Sequence, residues 1–171
     1  IKEAYKKGSG NVSEVNLLLV SMLREAEIEA NPVLVSSVDN ETPIFPTREG
    51  FNYIVVQVSY GDEKVLVDAT EKFAGLNLLP IRAANWKGRL IKKDGSSEWI
   101  RLTDNQKSED IVFLNIKLDS ESEASGNGQK RHTNYRALNS RNTNMNSTED
   151  ELEKHIQNDN VGLEISNVIV E

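Results

Sequence analysis

The chain is 171 residues long, 37% hydrophobic and 27% charged, a globular composition toward the polar end of the usual range. Its net charge of −7 argues against sequence-independent nucleic-acid binding, which needs clustered Lys and Arg. It has no cysteine, which excludes disulfides, zinc–thiolate and iron–sulfur sites and thiol catalysis, and no apolar run approaches the roughly 18 residues of a membrane span.

Along the chain, Lys6, Lys7, Gly8, Ser9 and Gly10 form a flexible lead-in to the clearest element, a helix over residues 12–26. Asn11 followed by Glu14 has the spacing of a capping box. Val15, Leu18, Leu19, Met22, Leu23 and Ala26 then repeat at helical spacing and predict one wide apolar face. Pro32 opens a short apolar strand, Val33-Leu34-Val35, and residues 39–50 form a polar, proline-containing loop.

Residues 51–60 are dense in β-branched and aromatic side chains and read as a strand. Gly61-Asp62 is a turn signal, and residues 64–68 return. A two-residue turn pairs Tyr60 with Glu63, which puts Val55 opposite Asp68 and Tyr53 opposite Thr70. Tyr53 and Asp68 then become diagonal neighbours on one face, with backbones roughly 7–8 Å apart.

Residues 74–80 read as a covering loop. Residues 89–91 and 99–102 flank Lys93-Asp94-Gly95 as a second hairpin. Residues 110–118 alternate as a strand whose apolar set is Val112, Leu114, Ile116 and Leu118, or the opposite face if the pairing slips. Ser, Asn, Gly and charge dominate residues 119–147, which predicts a long, weakly ordered loop with a short helix near 135–141. In this stretch Lys130-Arg131-His132 is a basic cluster answered by Glu149-Asp150-Glu151, both on a solvated surface. Thr148 and Glu151 cap a short helix carrying Leu152 and Ile156, and residues 161–170 read as a final strand. Both chain ends look like cuts in a longer protein.

Three segments together resemble the core of bacterial transglutaminase-like proteins, as found in multidomain proteins of Bacteroidetes-type bacteria. They are Gly10-Asn11-Val12-Ser13-Glu14-Val15-Asn16-Leu17, Phe51-Asn52-Tyr53-Ile54-Val55 and Leu66-Val67-Asp68-Ala69-Thr70. Asn85-Trp86-Lys87-Gly88-Arg89-Leu90-Ile91 and, more loosely, Asn134-Tyr135-Arg136-Ala137-Leu138-Asn139 are similar to stretches that follow that core. The resemblance implies an α+β fold, a papain-like transglutaminase core with a helix packed on an antiparallel sheet over residues 1–103. A partial β-rich region follows over residues 104–171.

The resemblance also assigns a Cys–His–Asp triad, and here the positions hold Val12, Tyr53 and Asp68. Thiol acyl transfer needs a thiolate made by a helix N-terminus and an adjacent imidazole. Val12 cannot ionise, and Tyr53, with a reference pKa near 10, is a poor base. The resemblance therefore implies a pseudoenzyme: a scaffold, or a binder of peptide or polysaccharide in the old cleft. It would sit among other domains of the same polypeptide, at the periplasm or cell envelope. Ser13, Asn52 and Thr70 are the neighbouring cleft positions. Asp68 is expected to be a solvated cleft remnant whose amide substitution costs about 0.5–1.5 kcal/mol. Its plainer role is to satisfy backbone donors at a strand end.

The alternative is a cysteine-independent peptidase or acyltransferase with a relocated site, for which Ser13 lacks a nearby base, since both histidines, His132 and His155, are far along the chain. No His, Asp or Glu spacing suggests a metal site, and no cofactor is expected. Trp86 and Trp99 are expected to be core or hairpin covers rather than carbohydrate platforms.

Overall fold

The computed structural model describes residues 1–40, 43–47, 49–103, 107–121 and 123–170. The polar loop expected over 39–50 includes positions 41, 42 and 48, which lie outside the described residues. The chain divides into two units, Ile1–Gln106 and Lys107–Glu171.

In the first unit a short helix α1 (Lys2–Lys7) precedes α2 (Val12–Glu25). Asn11 starts α2 through the expected capping box: its side chain accepts from the Glu14 amide, and Glu14 accepts from the Asn11 amide, both at 2.9 Å. The helix ends in a Schellman motif. The Ile28 amide reaches the Leu23 carbonyl at 2.9 Å, the Glu27 amide reaches Arg24 at 3.2 Å, and Glu27 turns to φ +60°.

Five antiparallel strands follow: β1 (Ala30–Val35), β2 (Tyr53–Tyr60), β3 (Glu63–Val67), β4 (Lys87–Ile91) and β5 (Ser97–Arg101). Their order in the sheet is β3-β2-β1-β4-β5, so the fold class is α+β. Tyr60 pairs with Glu63 as the turn at Gly61-Asp62 requires, and the ladder runs back to Val56 opposite Val67. Pro32 lies inside β1 rather than at its start. It falls where β4 no longer pairs with β1, which limits what its missing amide costs the ladder.

The two sheet faces bury different things. Val20, Ala30 and Val56 form one cluster, with Leu19, Leu23, Val58 and Val67 packed against it, so α2 covers this face. The buried stripe of α2 runs through Asn16, Leu19, Val20 and Leu23, and Met22, expected inside, is 56% exposed. On the other face Val33, Val35, Tyr53, Val55 and Leu90 pack with Leu79, Ala83 and Leu102. Leu79 comes from the covering loop, and Ala83 from a single 3-10 turn, Ile81–Ala83. Gly88 is buried in this layer because a Cβ there would lie 2.6 Å from Val33 and 2.9 Å from Leu102.

The second unit holds the hairpin β6 (Asp110–Leu118) and β7 (Ala124–His132), then α3 (Asn134–Asn144) and α4 (Glu149–Asp159). Strand β7 and the full length of α3 correct the loop expected over 119–147. Backbone pairing along all of β6 overrides the poor strand propensity of β7. Glycine even suits it: at Gly126, opposite Ile116, a Cβ would stand 2.0 Å from the Asn115 carbonyl oxygen. Val112, Leu114, Ile116 and Leu118 share one face of β6, and each is more than half exposed.

His132 is answered by Asp110, at 2.5 Å, rather than by the acidic run at 149–151. That run forms the first turn of α4, where Glu151 closes a capping box with Thr148. The final strand expected over 161–170 does not form. Gly162 at φ +95° and Asn167 at φ +57° interrupt the extended conformation, and no ladder includes these residues.

Candidate functional site

Of the three positions to which the resemblance assigns a triad, Val12 opens α2 and packs, half-buried, against the cluster that contains Tyr53. Tyr53 and Asp68 meet directly. The Tyr53 hydroxyl donates to Asp68 Oδ2 at 2.6 Å, so the two side chains reach each other as read from the turn, although the ladder itself ends at Val56 opposite Val67 and does not extend to Asp68.

Asp68 is 6% exposed, which overturns its expected place as a solvated remnant. Its other oxygen, Oδ1, accepts from Asn16 Nδ2 at 2.9 Å, from the Thr70 amide at 2.9 Å and from the Thr70 hydroxyl at 2.7 Å. The bond from the Thr70 amide closes an Asx turn just past the end of β3. With Tyr53 this makes four donors, about the full capacity of a carboxylate.

Asn16 is the residue that residue patterning missed. Its side chain is fully buried and joins three segments. Nδ2 donates to Asp68 and to the Ile54 carbonyl, and Oδ1 accepts from the Ala69 amide, each at 2.9 Å. The available signal was position: Asn16 stands three, four and seven residues before Leu19, Val20 and Leu23, on the buried stripe of the helix. A polar residue there must be hydrogen-bonded.

Arg82, from the 3-10 turn, closes the network from the solvent side. Its Nε donates to the Tyr53 hydroxyl at 3.1 Å and its Nη2 to the Thr70 hydroxyl at 3.4 Å. Its guanidinium lies 5.7 Å from the Tyr53 ring centre and 3.6 Å from Glu71. The two hydroxyls therefore each accept from Arg82 and donate to Asp68. They link a cation to a buried carboxylate that it does not touch.

The Tyr53 hydroxyl is held above the ordinary tyrosine range, first by burial and then by its bond to Asp68. It keeps its proton at neutral pH and offers no base. Ser13 is half-buried in the first turn of α2. Asn52 turns to Ser37, accepting from its amide at 2.8 Å and donating to its hydroxyl at 2.9 Å. Thr70 alone of the three neighbouring positions joins the Asp68 network. Among the described residues no group of three His, Cys, Asp or Glu side chains is placed to hold a metal ion, and no helix is long and apolar enough to cross a membrane.

Cavities open on the first unit among the described residues. One, of about 510 Å³, is lined by Arg24, residues 27–31 and residues 92–94. Another, of about 550 Å³, is lined by Gln57, Lys64, Leu66, Asn77, Trp86 and residues 100–103. Neither is lined by Val12, Tyr53 or Asp68. Trp86 is 60% exposed, which corrects its expected place as a cover, whereas Trp99 is half-buried against Phe51. Comparison with protein families, characterised proteins and solved structures finds no match to this chain.

Proposed function

We propose that this chain is a transglutaminase-like module of papain-like fold whose catalytic constellation has become a structural staple, serving as a scaffold within a larger envelope protein. The observation that carries this reading is the convergence of the three triad positions. Val12 stands at the helix start against the layer holding Tyr53, and Tyr53 bonds Asp68. In the resembling family such a site would hold a thiolate, an imidazole and the carboxylate that orients it. Here an apolar side chain and a protonated phenol replace the first two. The carboxylate survives as the acceptor that ties α2 to the β2–β3 hairpin through Asn16 and Tyr53. The periplasmic or envelope setting, and any peptide or polysaccharide held in the old cleft, follow from the resemblance.

The test restores the chemistry in part. A Val12→Cys thiol at a helix N-terminus meets unpaired amides that favour an anion, while burial opposes it. Its pKa is expected modestly below the reference of about 8.5. Adding Tyr53→His is expected to lower it further, because an imidazolium in contact stabilises the thiolate. The readout is the pH dependence of alkylation by iodoacetamide. A thiol indifferent to the new imidazole would overturn the assignment of positions, and turnover of glutamine-donor peptides by the unmodified chain, lost in Ser13→Ala, would replace the scaffold with an enzyme.

A further inference from the structure

The 550 Å³ cavity lies on the same sheet face as Tyr53 and Asp68 but beyond Val55 and Leu66, about 13 Å along β2 from Tyr53 at Gln57. The outermost strands of the sheet, β3 and β5, both contribute to it, which requires the sheet to curl. Its volume falls within the range of about 300–1,000 Å³ common to small-molecule sites.

Its lining has a definite chemistry. Leu66, Ile100 and Leu102 supply an apolar floor. Gln57, Asn77 and Thr103 supply neutral groups that both donate and accept. Lys64 and Arg101 are cations, and among the described residues no carboxylate lines the cavity, although the chain as a whole carries −7. Trp86 is the exposed aromatic wall, with the Lys87 ammonium 4.5 Å from its ring centre.

The backbone is held out of its ordinary range at this place. Of the five non-glycine residues at positive φ among the described residues, two line this cavity: Asn77 at +60° and Trp86 at +48°. Asparagine visits this region readily; a bulky aromatic does so only when its surroundings enforce it. Here they do. The Asn85 side chain anchors the preceding residue to the Ser36 and Ser37 carbonyls at 3.0 and 3.2 Å, and the Trp86 carbonyl accepts from the Leu102 amide at 3.1 Å. Asn77 accepts the Leu66 amide on its side chain and gives its own amide to the Leu66 carbonyl, both at 2.8 Å. An exposed indole fixed at such a cost gains nothing in burial from its place.

The geometry points to a saccharide-binding site for acidic sugars. The indole face would take the C–H face of a pyranose ring, the amides and Thr103 its hydroxyls, and Lys64, on the same face of the sheet as Leu66 and Gln57, a ring carboxylate. This inference stands apart from the family reading, since the cavity contains none of the triad positions.

The test is titration of the chain with oligogalacturonate, maltotriose and an oligoglutamate peptide, followed by calorimetry and tryptophan fluorescence. Saturable binding of oligogalacturonate, weaker binding of maltotriose and none of the peptide is expected. Trp86→Gly suits the positive φ, so it should leave the chain folded with a raised thermal midpoint while weakening binding by at least about tenfold. Lys64→Gln should narrow the gap between acidic and neutral sugar. Absence of saturable saccharide binding, binding unchanged in folded Trp86→Gly, or preference for the peptide would each overturn the proposal.

Discussion

Tyr53 donates to Asp68 at 2.6 Å while accepting from Arg82 at 3.1 Å, so one phenol is both donor to a buried carboxylate and acceptor for a half-exposed guanidinium.

Replacing Asp68 by Asn puts an amide N–H where an acceptor now faces Tyr53 or Asn16. One buried donor is left opposing another. The expected loss is about 2–4 kcal/mol, above the value for a single exposed hydrogen bond and near that for breaking a buried charged contact. Urea denaturation measures it. A loss under about 1 kcal/mol would return Asp68 to the solvated role first expected of it.

The raised pKa of Tyr53 makes stability depend on pH in alkali. In the unfolded chain the phenol ionises near pH 10. Between that value and the higher folded one, the folded state holds more protons than the unfolded state, so stability falls as pH rises. The contribution is complete below about pH 10 and is lost as pH passes through the folded value. Unfolding at graded alkaline pH is expected to show this decline in the unmodified chain and a shallower one in Tyr53→Phe. Parallel profiles would place the ionisation elsewhere.

Glu27 is the left-handed residue of the Schellman motif that closes α2. A side chain with a Cβ costs about 1 kcal/mol in that conformation. Glu27→Gly is therefore expected to stabilise the first unit by about that amount, read as a raised denaturation midpoint with an unchanged slope. A lowered midpoint would mean the carboxylate contributes more than its backbone costs.

Gly88 tests the packing between β4 and its neighbours. A methyl group there would overlap Val33 and Leu102, both almost fully buried, so Gly88→Ala is expected to cost about 1–3 kcal/mol. Pairing it with Leu102→Ala should recover part of the loss. Strict additivity of the two substitutions would show that they do not share the space.

Local signals carried the sequence reading as far as they act. The capping box at Asn11 and Glu14, the turn at Gly61-Asp62 and the cap at Thr148 and Glu151 all involve residues within four positions of one another, and each appears as read. The turn alone fixed the β2–β3 register, and the register brought Tyr53 to Asp68. Tertiary structure decided the rest. Asn16 and Arg82 reach the site from 52 positions before Asp68 and 29 positions after Tyr53, separations over which no periodicity speaks. Whether Asp68 faced water or the interior depended on those partners, because a carboxylate is stable inside only when its lone pairs are filled. Strand β7 formed against composition because β6 offered it a ladder, while residues 161–170 had the apolar pattern of a strand and pair with no other strand. Alternation names the face a strand would bury; only a paired neighbour makes it a strand.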